Sequence, residues 1–176
     1  MLLTADKPIL LTTYHGTAAG APLVGGKDPV SNRMLEALWV SNSYYLAAQF
    51  QDGEVRKLGV ALRSPVVISE STRLAIWPDR SHAWIVEEIQ SMVENGDLVS
   101  DGVIFPDTVD GMEVGDVIAV LGRDNGQGHL SVDHAVETLG IRYYDHEIEE
   151  WVSGPGFDEP DRQTDPCDAT SADIDF

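Results

Sequence analysis

The chain has 176 residues, and its 30 Asp and Glu against 11 Lys and Arg give a formal net charge of −19 with 43% hydrophobic residues. That length suits one globular domain whose core needs no metal or disulfide staple, while the scarcity of cations argues against binding bare nucleic acid or an anionic membrane surface. The single cysteine, Cys167, has no disulfide partner, and no apolar run approaches about 18 residues, so a reducing, cytoplasmic location is expected.

Ile9 to Thr13 is short, apolar and partly β-branched, which predicts a first strand ending at Tyr14-His15-Gly16. From Ala18 to Asn32 the turn formers Gly20, Pro22, Gly25, Gly26 and Pro29 predict a loop able to cover a ligand. Leu38-Trp39-Val40 predicts a second strand. Ser41 or Ser43 then caps a helix with Leu46, Ala47 and Phe50 on its apolar side. Val55 to Leu62 and Val66 to Ser69 read as strands separated at Ser64-Pro65, where proline marks a boundary.

Between Ser81 and Glu94, the residues Trp84, Ile85, Ile89, Met92 and Val93 recur at helical spacing and Asn95-Gly96 supplies the stop. Gly102 to Phe105 and Val117 to Leu121 are compact apolar runs that predict two strands, with a loop from Asp107 to Gly115 between them. A short helix is expected over Leu130 to Gly140 and a last strand over Ile141 to Tyr144. After Ser153 the composition turns to Gly, Pro, Asp, Ser and Thr, with seven acidic residues against one arginine. The division expected is therefore a folded domain over 1–152 and an acidic, disordered tail over 153–176.

Two segments carry the chemistry. In Tyr14-His15-Gly16-Thr17 an imidazole follows an apolar strand, and the glycine would let a ligand reach the backbone beside it. A turn with a satisfied histidine is the competing reading. In the second segment, Trp39 on a strand and Phe50 on the following helix could face one another across a gap one ring thick. They could equally pack a strand-helix corner. The remaining histidines show no metal spacing. Gly122 to Gly128 lacks the lysine and the following Ser or Thr of a phosphate loop, which makes it a turn.

With Leu38-Trp39-Val40-Ser41-Asn42-Ser43-Tyr44-Tyr45-Leu46-Ala47-Ala48-Gln49-Phe50, and with Asp101 to Phe105 and Asp116 to Val120 downstream, the chain resembles the ADP-ribosyltransferase superfamily. The resemblance is to the branch carrying a histidine, an aromatic pair and an acidic or amide residue, which includes diphtheria-type toxins, poly(ADP-ribose) polymerases, rifampicin-modifying enzymes and phage-encoded effectors. It spans residues 9 to 121. It implies an α+β fold with a split, mostly antiparallel sheet and flanking helices. It also implies NAD as substrate, with His15 on the adenosine ribose and the Gly16 backbone on the nicotinamide amide. Trp39 and Phe50 fall at the spacing of the family's stacking aromatics, where tyrosine is more usual, so Tyr44 or Tyr45 could replace Phe50. Tyr14, Thr17 and Ser41 complete the implied NAD-contacting set. Asp116 stands where the strand-leading acid belongs, often glutamate in relatives, with Glu113 and Asp101 in reserve.

The implied reaction needs few groups. Nicotinamide leaves as a neutral molecule from a cationic precursor, so no general acid is required, and a carboxylate must stabilise a ribosyl oxocarbenium ion. At 4 Å and an effective dielectric near 20, that interaction is about 4 kcal/mol, about a thousandfold in rate before the acid's desolvation is counted. The acceptor of ADP-ribose is expected to be a protein, a nucleic acid or a small molecule, with a basic host protein favoured by the charge if the chain works as an effector in a host cytoplasm. The rival from another class is a non-catalytic acidic protein that mimics nucleic acid and occupies a basic partner.

Overall fold

The computed structural model describes residues 8–21, 23, 37–50, 53–124, 130–131, 136–154 and 156–157. Their fold is α+β. Its centre is an eight-stranded, mostly antiparallel sheet in the order β10-β9-β3-β1-β2-β6-β5-β4. In chain order the strands are β1 (Ile9–Thr17), β2 (Ala37–Ser41), β3 (Glu54–Leu62), β4 (Val66–Val67), β5 (Gly102–Asp110), β6 (Glu113–Leu121), β9 (Val136–Asp145) and β10 (Glu150–Ser153). A separate two-stranded ribbon joins β7 (Arg123–Asp124) to β8 (Leu130–Ser131).

Among the described residues three helices flank the sheet: α1 (Tyr44–Ala48), α2 (Glu70–Ile76) and α3 (His82–Glu94). Each begins at a serine whose hydroxyl accepts a backbone N–H of the first turn. Ser43 accepts from Leu46, Ser69 from Thr72 and Ser81 from Trp84, which satisfies donors that a helix start leaves open. The long helix α3 ends as its sequence predicts, at Asn95 followed by Gly96 with φ 79°.

The sheet buries both faces. On one, Phe105, Val117, Ala119 and Leu121 pack against Ile85, Val86 and Ile89 of α3 and Leu46 of α1. On the other, Leu38, Val40, Leu58, Val60, Leu62, Ile118 and Val120 form a second cluster that Leu23 helps to cover. A third cluster joins Tyr14, Tyr44, Ala47, Val55 and Phe157. Phe157 is 7% exposed, so the folded part runs through it; residues 158–176 lie outside the described residues, as does most of the expected covering loop.

Four sequence expectations are corrected. The helix expected over Leu130 to Gly140 is strand wherever it is described, because Val136 to Tyr143 pairs with Glu54 to Val60 of β3 and Leu130–Ser131 pairs with β7. The loop expected over Asp107 to Gly115 is mostly the two arms of a hairpin, turning at Gly111 with φ 63°, a backbone conformation that suits a tight two-residue turn. The expected last strand at Ile141 to Tyr144 is the end of β9, and β10 follows it. Phe50 stands beyond the end of α1. Sequence reading also missed α2, a helix of two turns with no buried residue.

Candidate active site

The two halves of the sheet meet at β1 and β2, which share one bridged pair, Tyr14 with Ser41. By contrast, β1 pairs with β3 over nine residues and β2 pairs with β6 over five. Just past the bridge the His15 side chain takes the place of the missing ladder, with Nδ1 2.6 Å from the Trp39 carbonyl oxygen. A carbonyl can only accept, so Nδ1 carries the proton and a neutral ring keeps its lone pair on Nε2.

Burial pulls the His15 pKa below its ordinary 6.5; the hydrogen bond to Trp39 raises it, and the Arg56 charge lowers it further. The ring is therefore neutral at pH 7. Arg56 stands opposite His15 on β3. It is paired with Glu54 and donates to the Ala21 carbonyl at 2.6 Å, tying down the start of the segment after β1.

Asp116 is held from three directions. Its N–H donates to Asn42 Oδ1 at 2.8 Å, and its carbonyl accepts from Ser41 Oγ at 2.8 Å and from the Asn42 N–H at 3.3 Å. Its carboxylate oxygen Oδ1 accepts the Asp107 N–H at 3.1 Å. Directly opposed residues share a face of an antiparallel sheet, so Tyr14, Ser41 and Val117 lie on one face. His15 and Asp116, one step along their strands, lie on the other. They are two strand spacings and two residues of rise apart, about 12 Å. Glu113 is three residues from Asp116 on the same strand and so takes the opposite face. Asp101 is committed elsewhere, accepting the N–H groups of Arg63 and Ser64 at a turn.

The aromatic residues divide. Trp39 is half-buried and lies parallel to Phe105, with centroids 6.5 Å apart and planes 12° apart; its stacking partner is therefore Phe105, a residue that sequence spacing did not suggest. Phe50 is 59% exposed and sits beside Gly16. Tyr45 is also exposed, whereas Tyr14 and Tyr44 are buried edge-to-face at 5.7 Å. Gly16 has a structural duty that its ligand reading did not anticipate. A Cβ there would stand 2.0 Å from the Ala47 carbonyl oxygen, so the glycine is what lets α1 lie against β1. Thr17 is buried at the end of the strand, and Ser41 is buried with its hydroxyl spent on Asp116 and on the Ser43 N–H.

The structure thus places the His15 side chain at the β1–β2 junction, held by the Trp39 carbonyl, and Asp116 on the same sheet face two strands away on β6; the Trp39 ring lies on the opposite face with Phe105. Asn42 and Asp107, which position Asp116, were missed; an Asn directly after an apolar strand and before a helix cap was the available signal for the first. No family model, curated protein or solved structure matches this chain.

Proposed function

We propose that the chain is an NAD-dependent ADP-ribosyltransferase whose substrate lies along the seam between β1 and β2. The observation that carries this reading is the His15 imidazole, partly buried, neutral and fixed by the Trp39 carbonyl, which leaves Nε2 without a hydrogen-bond partner among the described residues and able to accept a ribose hydroxyl. A half-sheet junction reduced to one bridged pair fits the split sheet that the sequence resemblance implies.

In this reading the Gly16 backbone meets the nicotinamide amide, while exposed Phe50, beside Gly16 on the α1 face of the sheet, lies opposite the face of His15 and Asp116 and takes no part in holding the ring. Asp116 is the acid that stabilises the oxocarbenium ion. One of its carboxylate oxygens is anchored by the Asp107 N–H, which fixes the group without neutralising it. The bond between ribose and nicotinamide breaks with its electron pair leaving on nicotinamide, and the acceptor nucleophile attacks the sugar carbon and loses its proton to solvent or a neighbouring base. Trp39 contributes its backbone to His15 and its ring to Phe105.

The test is incubation of the full chain with NAD labelled in the adenylate half, alone and with cell lysate. Transfer of label to a protein, nucleic acid or small molecule, with release of nicotinamide, supports the reading. Absence of both, together with salt-sensitive capture of a basic protein, favours the non-catalytic acidic mimic, for which the net charge of −19 supplies the steering field.

A further inference from the structure

A cavity of about 460 Å³ opens on the α3 side of the sheet, between α2, the start of α3 and the irregular middle of β5. That volume lies within the roughly 300–1,000 Å³ typical of small-molecule sites. Its apolar walls are Ile68, Pro106 and Val109, and its flat wall is His82. One face of the His82 imidazole stacks on Phe105, with centroids 4.3 Å apart and planes 25° apart, and the ring also lines the cavity.

The charges lining the cavity sort into a spent pair and two that remain. Arg73 is bound at both ends of its fork by Glu70, at 2.7 Å each. Arg80 lies 4.4 Å over the Trp84 ring and has no ion-pair partner among the described residues. Asp107 is held at φ 52°, where the β5–β6 register shifts. Left-handed backbone at a non-glycine residue costs free energy and persists where surrounding structure enforces it. Here the enforced conformation aims the Asp107 N–H at Asp116 while the residue itself lines the cavity.

We infer that this cavity is a binding site for a small, flat, zwitterionic molecule. Its anionic group pairs with Arg80, its ring lies against His82, and its ammonium or other donor group meets Asp107 and the Thr108 hydroxyl. Arg80 and Asp107 are both exposed, so a ligand carrying both charges gains an ion pair at each, where a singly charged one gains it at one. The inference does not rest on the NAD reading.

The probe is 4-(aminomethyl)benzoate, a ring with a carboxylate at one end and an ammonium at the other, compared with benzoate and benzylamine, each lacking one charge. Binding is followed by NMR on the ¹⁵N-labelled full chain without NAD. The zwitterion is expected to shift the amides of the non-proline residues in 69–82 and 105–109, with a dissociation constant in the millimolar range and about two- to fivefold tighter binding than either single-charge probe, the range for an exposed ion pair. Arg80→Gln should erase its advantage over benzylamine. Asp107→Asn, a residue that tolerates the same backbone conformation, should erase its advantage over benzoate. The inference is overturned if the zwitterion leaves those amides unmoved, if the single-charge probes bind as well, or if both variants bind it as the unaltered chain does.

Discussion

The Nδ1 atom of His15 stands 2.6 Å from the carbonyl oxygen of Trp39, across a junction where β1 and β2 share one bridged pair. A side chain thereby does what a backbone ladder does elsewhere in the sheet. It also leaves a lone pair at Nε2 on the sheet face that Asp116 shares.

That arrangement sets a pH dependence of stability. Burial holds the His15 pKa below 6.5 in the folded chain, and burial followed by the Arg73 charge does the same for His82. Between the lowered folded value and the ordinary one, the unfolded state binds more protons, so stability is complete above pH 6.5 and is lost as the pH falls through that window. The slope expected from His15 is at most about 1.4 kcal/mol per pH unit. Urea unfolding from pH 7.5 to 5 should show the unaltered chain losing stability more steeply than His15→Gln, and the double change with His82→Gln should flatten the profile further. Superimposable profiles for all three would contradict the lowered pKa values.

Gly16 packs against a helix backbone that cannot move out of the way cheaply. Because a Cβ at this position meets the Ala47 carbonyl oxygen at 2.0 Å, Gly16→Ala should destabilise the fold by about 1–3 kcal/mol, the range for forced overpacking. Chemical denaturation measures it. A loss below about 0.5 kcal/mol, the spread of ordinary surface substitutions, would show that α1 does not pin this strand.

Tyr44 makes the opposite case. Its hydroxyl is buried without a hydrogen-bond partner among the described residues, and burial pushes its pKa up to about 12. Its ring, meanwhile, packs against Tyr14, Trp151 and Phe157. Tyr44→Phe keeps the ring and removes the unpaired oxygen, so thermal unfolding should show unchanged or higher stability, by up to about 1 kcal/mol. A clear loss would mean that the hydroxyl is bonded in solution.

Much of the fold is written locally. The strand at Ile9, the Ser43 cap, offered alongside Ser41, and the 3.6-residue periodicity of α3 each depend on neighbouring residues, and each emerges where the sequence places it. The segment over 136–145 does not, because three of its first four residues are exposed and its strand character comes from pairing with β3, far away in the chain. Helix α2 buries no side chain, so it leaves no apolar stripe; the Ser69 cap and the Glu70–Arg73 pair at i and i+3 were its only local marks.

The candidate site divides in the same way. An imidazole after a strand and before a glycine is a local signal, and so is an acid heading an apolar run, which is why His15 and Asp116 could be named in advance. Ring partners are set by tertiary packing. The spacing of Trp39 and Phe50 pointed to each other, yet Phe105 from β5 stacks on Trp39. No sequence pattern indicated that Asp107 would hold the Asp116 carboxylate, since that contact depends on the register shift in β5.

The most direct measurement is nicotinamide release from NAD, followed by chromatography, for the unaltered chain and for His15→Ala and Asp116→Asn. Both variants should retain cooperative unfolding while release falls about a hundredfold or more, the usual loss when one transition-state-stabilising group is removed. Release by either folded variant at the rate of the unaltered chain, or none by the unaltered chain in the presence of lysate acceptors, would contradict the assignment of this seam as an NAD site.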